Sequence, residues 1–258
     1  MYRQSWFEHL QGQLAPRGLN TWGVLDRATY DTMAPEGSRC ADIFEPTRSI
    51  LVVGSGGTLL WEQFMAHLAN HPEDLTLQPH PLDHFVERSL IEHHPLILEG
   101  GAARVVPITA NTPVFLDVRR LALSCGLGVM SPTGLLLHPH YGLWWAVRGV
   151  IFSEGELPPG LPLTSSPCIS CPAPCITSCP ADAVQPSGFV FTRCIDQHQR
   201  TNTCAATCLS RQACIAAPEH RYGDLQNLYH NARLPGRRAL REHLHILHDG
   251  FEGQGPWP

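Results

Sequence analysis

The chain of 258 residues contains no lysine; arginine, at 18 positions, accounts for the whole Lys+Arg total. Three chemistries are thereby excluded. There is no phosphate-loop lysine, no Schiff-base lysine and no pyridoxal-phosphate anchor. A run of about 18 apolar residues is also missing, so no membrane span is expected. The first residues, MYRQSWFEHLQGQL, carry Glu8 and His9 and no apolar stretch. They read as an amphipathic helix rather than an export signal, and a cytoplasmic location is the expectation. Excess positive charge is missing too: the balance is −5 with histidine neutral, which leaves no global basic footprint for nucleic acid. Charged residues make up 16% against 43% hydrophobic, enough apolar material for a packed core.

Cysteine is plentiful but unevenly placed. Residues 1–160 hold only Cys40 and Cys125, and the other eight of the ten lie between 168 and 214. In a reducing compartment such a set argues for metal or redox chemistry rather than disulfides. The stretch SEGELPPGLPLTSSP, rich in Pro, Gly and Ser, reads as a linker between the two parts. The expected division is an α/β domain over 1–160, a cysteine module over 161–235, and a C-terminal helix and tail over 236–258.

Within the first part, SILVVG (Ser49–Gly54) is a β-branched run that predicts a buried strand. TLLWEQFMAHLANH follows with Leu60, Phe64 and Leu68 four apart, a helix. Pro81–His94 predicts a second helix, with Pro81 and Asp83 suited to its first turn. Ala103–Ile108 predicts a strand, and LDVRRLALSCGLG a helix closed by Gly126. GLLLHP and WWAVRGVIF are apolar enough for central strands. GDLQNLYHNARL and GRRALREHLHILHDG read as closing helices. Mixed helices and strands place the fold in the α/β or α+β class.

The clustered cysteines are Cys168, Cys171, Cys175, Cys179, Cys194, Cys204, Cys208 and Cys214. Two cubane clusters require eight thiolates. Structural zinc favours paired C-x2-C knuckles, and only Cys168/Cys171 has that spacing. Three thiols followed by Cys179–Pro180 match the bacterial ferredoxin arrangement, in which the fourth cysteine serves the other cluster. The second gap is one residue longer than usual there. The spacing therefore favours two [4Fe–4S] clusters over one cluster, zinc or disulfides. The expected sharing is Cys168, Cys171, Cys175 and Cys214 on one cluster, and Cys179, Cys194, Cys204 and Cys208 on the other. Cys214, followed by Ile215 rather than proline, is the least secured ligand.

The segment LALSCGLGVMSPTGLLLHPHYGLWWAVRGVIFSEGEL, the cysteine run after it, and CLSRQACIAAPEHRYGDLQNLYH resemble the epoxyqueuosine reductase family and its relatives the reductive dehalogenases. The resemblance is nearest to a short bacterial ferredoxin-like branch and spans roughly residues 20–230. It implies a nitroreductase-like α/β N-terminal domain followed by a two-[4Fe–4S] ferredoxin-like module, an α+β protein overall. It also implies a base-off cobalamin on the α/β domain, electrons supplied through the clusters, and an oxidoreductase. The family's catalytic aspartate has no evident equivalent: alignment on Gly126–Gly128 puts Asn111 or Thr112 there, and Asp117 is out of register. Together with the net acidity, this argues against reduction of a tRNA-borne epoxide. An electron-transfer protein without its own catalytic site is the alternative.

Other residues are candidates for binding a cofactor. Gly54, Gly56 and Gly57 follow a strand and precede a helix, so their amides could cradle an anion, although a plain tight turn is the simpler reading of so short a signal. His138, His140 and Tyr141, beside Trp144–Trp145, could line a planar cofactor. His84 and Arg88, one helical turn apart, could bind a carboxylate or phosphate. Arg237, Arg238 and Arg241 could dock an external low-potential donor of ferredoxin or flavodoxin type. Cys40 and Cys125, isolated, are expected to be buried inert thiols.

Overall fold

The computed structural model describes residues 2–109, 112 and 114–245. The chain opens with helix α1 (Tyr2–Leu14), strand β1 (Thr21–Asp26), helices α2 (Arg27–Met33) and α3 (Cys40–Ile43), and strand β2 (Ser49–Gly56). Helices α4 (Leu59–Asn70), α5 (Glu73–Leu77), α6 (Pro81–Glu92) and α7 (His94–Leu98) follow, then β3 (Ala103–Pro107) and α8 (Val118–Ser124). A short hairpin, β4 (Val129–Met130) and β5 (Leu136–Leu137), precedes the long strand β6 (Trp145–Ser153). The cysteine-bearing stretch holds α9 (Pro174–Thr177), β7 (Val184–Gln185), β8 (Gly188–Phe189), α10 (Phe191–Arg200) and α11 (Leu209–Gln212). Helices α12 (Asp224–Asn231) and α13 (Arg233–His243) close the described chain.

Four strands form one sheet in the order β1-β2-β6-β3, every neighbour antiparallel. Helices cover both faces, which is why β2 is apolar without alternation and buried at every position. The period of two still sorts its side chains. Leu51 and Val53 join Ile151 under α1, α4 and α6, against Leu10, Phe64 and Phe85. Ile50 and Val52 join Val150 and Phe152 on the other face, against Tyr30, Leu121 and Cys125. The fold is thus mixed α+β with a central sheet.

One irregularity interrupts the centre of the sheet. Val53 pairs with Gly149 and Gly54 with Val147, so Arg148 is the unmatched residue of a bulge in β6. Bulges re-aim the side chain they carry, and this one carries a charge.

Several expectations need correction. GLLLHP is not a central strand: Leu136–Leu137 pairs in the separate hairpin with β4, and His138 forms only an isolated bridge to Gly142. Pro139 has no amide to continue a ladder, and His138 Nδ1 instead accepts the His140 and Tyr141 amides, which curls the chain. The linker is not free along its length, for Leu157 is buried with its N–H on Ser49 Oγ at 2.9 Å, and Gly160 N–H reaches Val24 C=O at 2.9 Å. Only residues 161–165 form a continuous exposed stretch there. The closing helices do not stand apart either. Leu240 lies in the core beneath the sheet, and Leu225, Tyr229 and Leu244 pack against it. The cysteine-bearing residues are therefore a loop-rich excursion from the body, which the chain leaves after β6 and rejoins at α12.

Candidate functional site

The eight thiols fall into two groups. The Cys175 thiol is pushed up by burial and then by Cys214, Cys168 and Cys171, which places these four within electrostatic reach of one another. Cys214 is likewise raised by burial and by Cys168 and Cys171. Cys194 is raised by burial and then by Cys208, Cys179 and Cys204. Cys179, fourth in its run, thus sits with the later cysteines, and Cys214, last in the chain, with the early ones. All eight are free thiols. Among the described residues no three His, Cys, Asp or Glu side chains are arranged to hold a single metal ion.

Local backbone geometry serves these sulfurs. Ala173, Asp182 and Ala217 all have φ between 50° and 52°, the left-handed region that residues other than glycine seldom occupy. Each lies two or three positions after a thiol of a group. Near these turns Ala173 N–H points at Cys171 Sγ at 3.4 Å and Ala183 N–H at Cys179 Sγ at 3.3 Å. Burial alone would raise the Cys179 thiol. The Ala183 amide, the Ser210 hydroxyl and the Val184 and Ala181 amides together outweigh burial and bring it below the usual thiol value. Pro174 and Pro218 follow two of the left-handed residues and open a helical turn, where a missing N–H costs nothing.

The group that includes Cys214 lies on the side nearer the body. A Cβ on Gly142, whose φ is 57°, would overlap the Ala216 carbonyl, so the two chains touch there. His220 fits between His140 and Tyr141, with ring centroids 4.8 Å from each. Arg211 lies over Trp144 at 4.7 Å and Tyr222 at 4.8 Å, and donates to the Leu143 carbonyl at 2.6 Å. Trp144 and Tyr222 meet edge to face at 5.3 Å, and Tyr222 continues to His230 at 5.5 Å. An aromatic path therefore runs from the segment carrying Cys214 into the body. Trp144 Nε1 and Arg211 Nε are buried with no hydrogen-bond partner among the described residues.

The path ends at a cavity of about 300 Å³ beside the start of α6, where Arg148, Tyr229 and His230 face it. A neighbouring cavity of about 220 Å³ shares Pro79, His80 and Asp83 with it and reaches His84 and Thr112. His230 is pushed down to about 3, by burial first and then by Arg148 and Arg211, and so stays neutral near pH 7. Burial pushes the Tyr229 phenol up to about 12.

Of the seven candidate cofactor residues, His84 alone lines either cavity. The anion cradle is overturned. Gly54 and Gly56 belong to β2, Gly56 N–H is taken by Asn20 Oδ1 at 2.7 Å, and Gly57 N–H by the Trp144 carbonyl at 2.8 Å. Glycine is needed at position 56 because the Tyr141 ring lies where a Cβ would be. His138, pushed down to about 4 by burial and then by His140 and His220, spends Nδ1 on its own turn. Arg88 is engaged by Asp74 at 3.8 Å and Glu92 at 3.7 Å, so it does not complete an anion site with His84. Arg237 is buried and donates to the Pro79 and Leu75 carbonyls, so it is an anchor for α13 rather than a docking residue. Cys40 and Cys125 are buried, each pushed up to about 12 chiefly by burial, as inert thiols should be. Asn111 lies outside the described residues. Thr112 Oγ1 is spent within its turn, on the Pro107 and Thr109 carbonyls and the Thr109 amide.

The sequence reading passed over Arg148, Tyr222, Tyr229 and His230. Arg148 did leave a trace: it is the one charge inside the apolar run WWAVRGVIF, and a charge in a central strand needs a reason.

Compared by sequence, the chain matches no family model and no curated protein. Compared by structure, it is similar to the B12-trafficking protein CblC of C. elegans, with a TM-score of 0.61 and 14% identity over 95% of this chain and 99% of that one. It is also similar to an epoxyqueuosine reductase bound to a modified tRNA-Tyr stem loop, with a TM-score of 0.58 and 13% identity over 88% of this chain and 69% of that one. The epoxyqueuosine reductase of Streptococcus thermophilus gives a TM-score of 0.55 and 10% identity over 92% of this chain and 79% of that one. The chain therefore has the fold that epoxyqueuosine reductases and CblC share.

Proposed function

We propose that this protein is an iron–sulfur oxidoreductase whose two [4Fe–4S] clusters relay electrons to an acceptor on the α/β body. The observation that carries the reading is the sorting of eight thiols into two interacting groups of four, one for each cluster. Cys168, Cys171, Cys175 and Cys214 would hold the inner cluster, and Cys179, Cys194, Cys204 and Cys208 the outer one. The shared fold with reductases supports a redox role. When bound, the clusters would supply one-electron transfer at a potential set by burial and by hydrogen bonds to sulfur.

The chain's own residues suit that task. The Ala173 amide donates to Cys171 Sγ, and the Ala183 amide donates to Cys179 Sγ, where it favours the thiolate form. The buried donors of Trp144 and Arg211 await an acceptor that the described residues do not supply. Tyr222, Trp144 and His230 form a chain of ring contacts between the segment carrying Cys214 and the cavity. The outer group meets solvent beside Phe191, which is 66% exposed next to Cys194. An external low-potential donor of ferredoxin or flavodoxin type would approach there, in a reducing, cytoplasmic setting.

A corrinoid is the acceptor that the fold neighbours suggest. The two cavities beside α6, of about 300 and 220 Å³, are each smaller than a corrin ring with its side chains. The alternative, an electron carrier without its own catalytic site, draws on Thr112, whose hydroxyl is fully committed where the reductases place an acid.

Anaerobic purification with iron, sulfide and cobalt analysis tests both readings, with EPR before and after dithionite and with added cob(II)alamin. About eight iron and eight sulfide per chain are expected. Zinc in place of iron would refute the relay. A cobalt signal unmoved by the protein would leave the electron carrier.

A further inference from the structure

Arg148 has no explanation in the relay. It sits at the bulge of β6, a central strand, where a charge is costly unless it is used. Its Nε is fixed on Ser55 Oγ at 2.9 Å, which orients the guanidinium. Among the described residues its two terminal nitrogens have neither a hydrogen-bond nor an ion-pair partner, and the side chain lines the cavity of about 300 Å³. Tyr229 faces the same space. Its oxygen accepts the Leu82 amide at 3.4 Å, which leaves its own proton to donate. His230, neutral near pH 7, adds a ring nitrogen without adding charge.

We infer that this cavity is the seat of a small organic carboxylate, gripped by the terminal nitrogens of Arg148 and by the Tyr229 hydroxyl. A planar guanidinium with two free donors matches the two oxygens of a carboxylate. The charge count selects a monoanion. Arg237 shares the lining but is spent on the Leu75 and Pro79 carbonyls, which leaves the single charge of Arg148 for a ligand, so a dianion would be undercompensated. Pro81, Leu82 and the Tyr229 ring offer apolar wall for a carbon body. The volume suits a ligand of benzoate size. The site stands on geometry alone and does not depend on the clusters.

Calorimetric titration of the anaerobically purified protein, in a buffer free of oxyanions, tests this with benzoate, butyrate and inorganic phosphate as probes. One carboxylate per chain is expected, with phosphate binding more weakly. Arg148→Gln should weaken binding at least tenfold, Arg148→Lys by less, and Arg200→Gln, on the exposed face of α10, not at all. Tyr229→Phe should weaken it about threefold, roughly the net worth of one hydrogen bond, and serves if the Arg148 variants fail to fold. Failure of both carboxylates to bind wild type at about 10 mM, weaker than any specific site, would overturn the inference. So would equal binding by Arg148→Gln, or phosphate binding as tightly as the carboxylates. Iron counted on the same samples separates the two ideas: binding without iron would sink the relay alone, and iron without binding would sink the carboxylate site alone.

Discussion

Single side chains here take opposite roles according to what surrounds them. Ten thiols share one chemistry, yet Cys40 and Cys125 are walled in and inert, while eight stand in groups with amides aimed at sulfur. Cys214→Ser should accordingly lower iron from about eight per chain to about four, whereas Cys40→Ala should leave it unchanged. Iron and sulfide analysis after anaerobic purification distinguishes the two. Two histidines make a second prediction. His138 and His230 are held near 4 and 3 when folded, against 6.5 for the free side chain. The unfolded chain therefore binds more protons between those values, and stability that is full above about pH 6.5 is lost as pH falls towards 4. His138, half-buried, carries more of this loss than His230, which is exposed and screened by solvent. Thermal melts of His138→Asn between pH 7 and 4.5 should show a shallower decline than wild type, and an identical slope would contradict the assignment.

Among the elements, the contacts that matter join segments distant in sequence. The Gly142 turn meets Ala216 in the loop that carries Cys214, and no Cβ fits between them. Gly142→Ala adds both overlap and a left-handed penalty, for an expected cost of about 1–3 kcal/mol. Melting temperature measures the cost, and faster proteolysis within residues 161–222 should accompany it. Helix α13 is held differently. Arg237 reaches back to the carbonyls closing α5 and preceding α6. Hydrogen bonds from a charged donor are worth about 1.5–3 kcal/mol each, so Arg237→Ala should destabilise by at least about 2 kcal/mol. Urea unfolding would show it. Arg238→Ala, at an exposed position on the same helix, should cost little.

For the molecule as a whole, the cysteine module and the body are built by interruption. The chain completes its sheet with β6, departs to carry eight cysteines, and returns as α12 and α13 to seal the core. Trp144, Tyr222 and His230 lie on both sides of that excursion, so bridge and fold are assembled together. If the module holds the two proposed clusters, the dithionite-reduced protein should give an EPR spectrum broadened by spin coupling. Cys171→Ala, which empties the inner group, and Cys194→Ala, which empties the outer, should each leave a simpler uncoupled signal. Two unchanged coupled spectra would show the grouping to be wrong.

Local pattern carried much of this into view. β2, β3, α4, α6 and α8 follow from apolar periodicity and turn residues, because strand and helix are specified by neighbours a few positions apart. The crowding of eight thiols between 168 and 214 was legible for a similar reason, since most of their spacings are short. What could not be read locally depends on residues far along the chain. Gly56 and Gly57 looked like an anion cradle until Asn20 and Trp144 took their amides. Arg237 looked exposed until α5 and α6 received its guanidinium. Arg148 looked like one arginine among 18 until the bulge in β6 turned it towards Tyr229 and His230. Hydrogen-bond partners are chosen by packing, and packing joins residues that no local pattern relates.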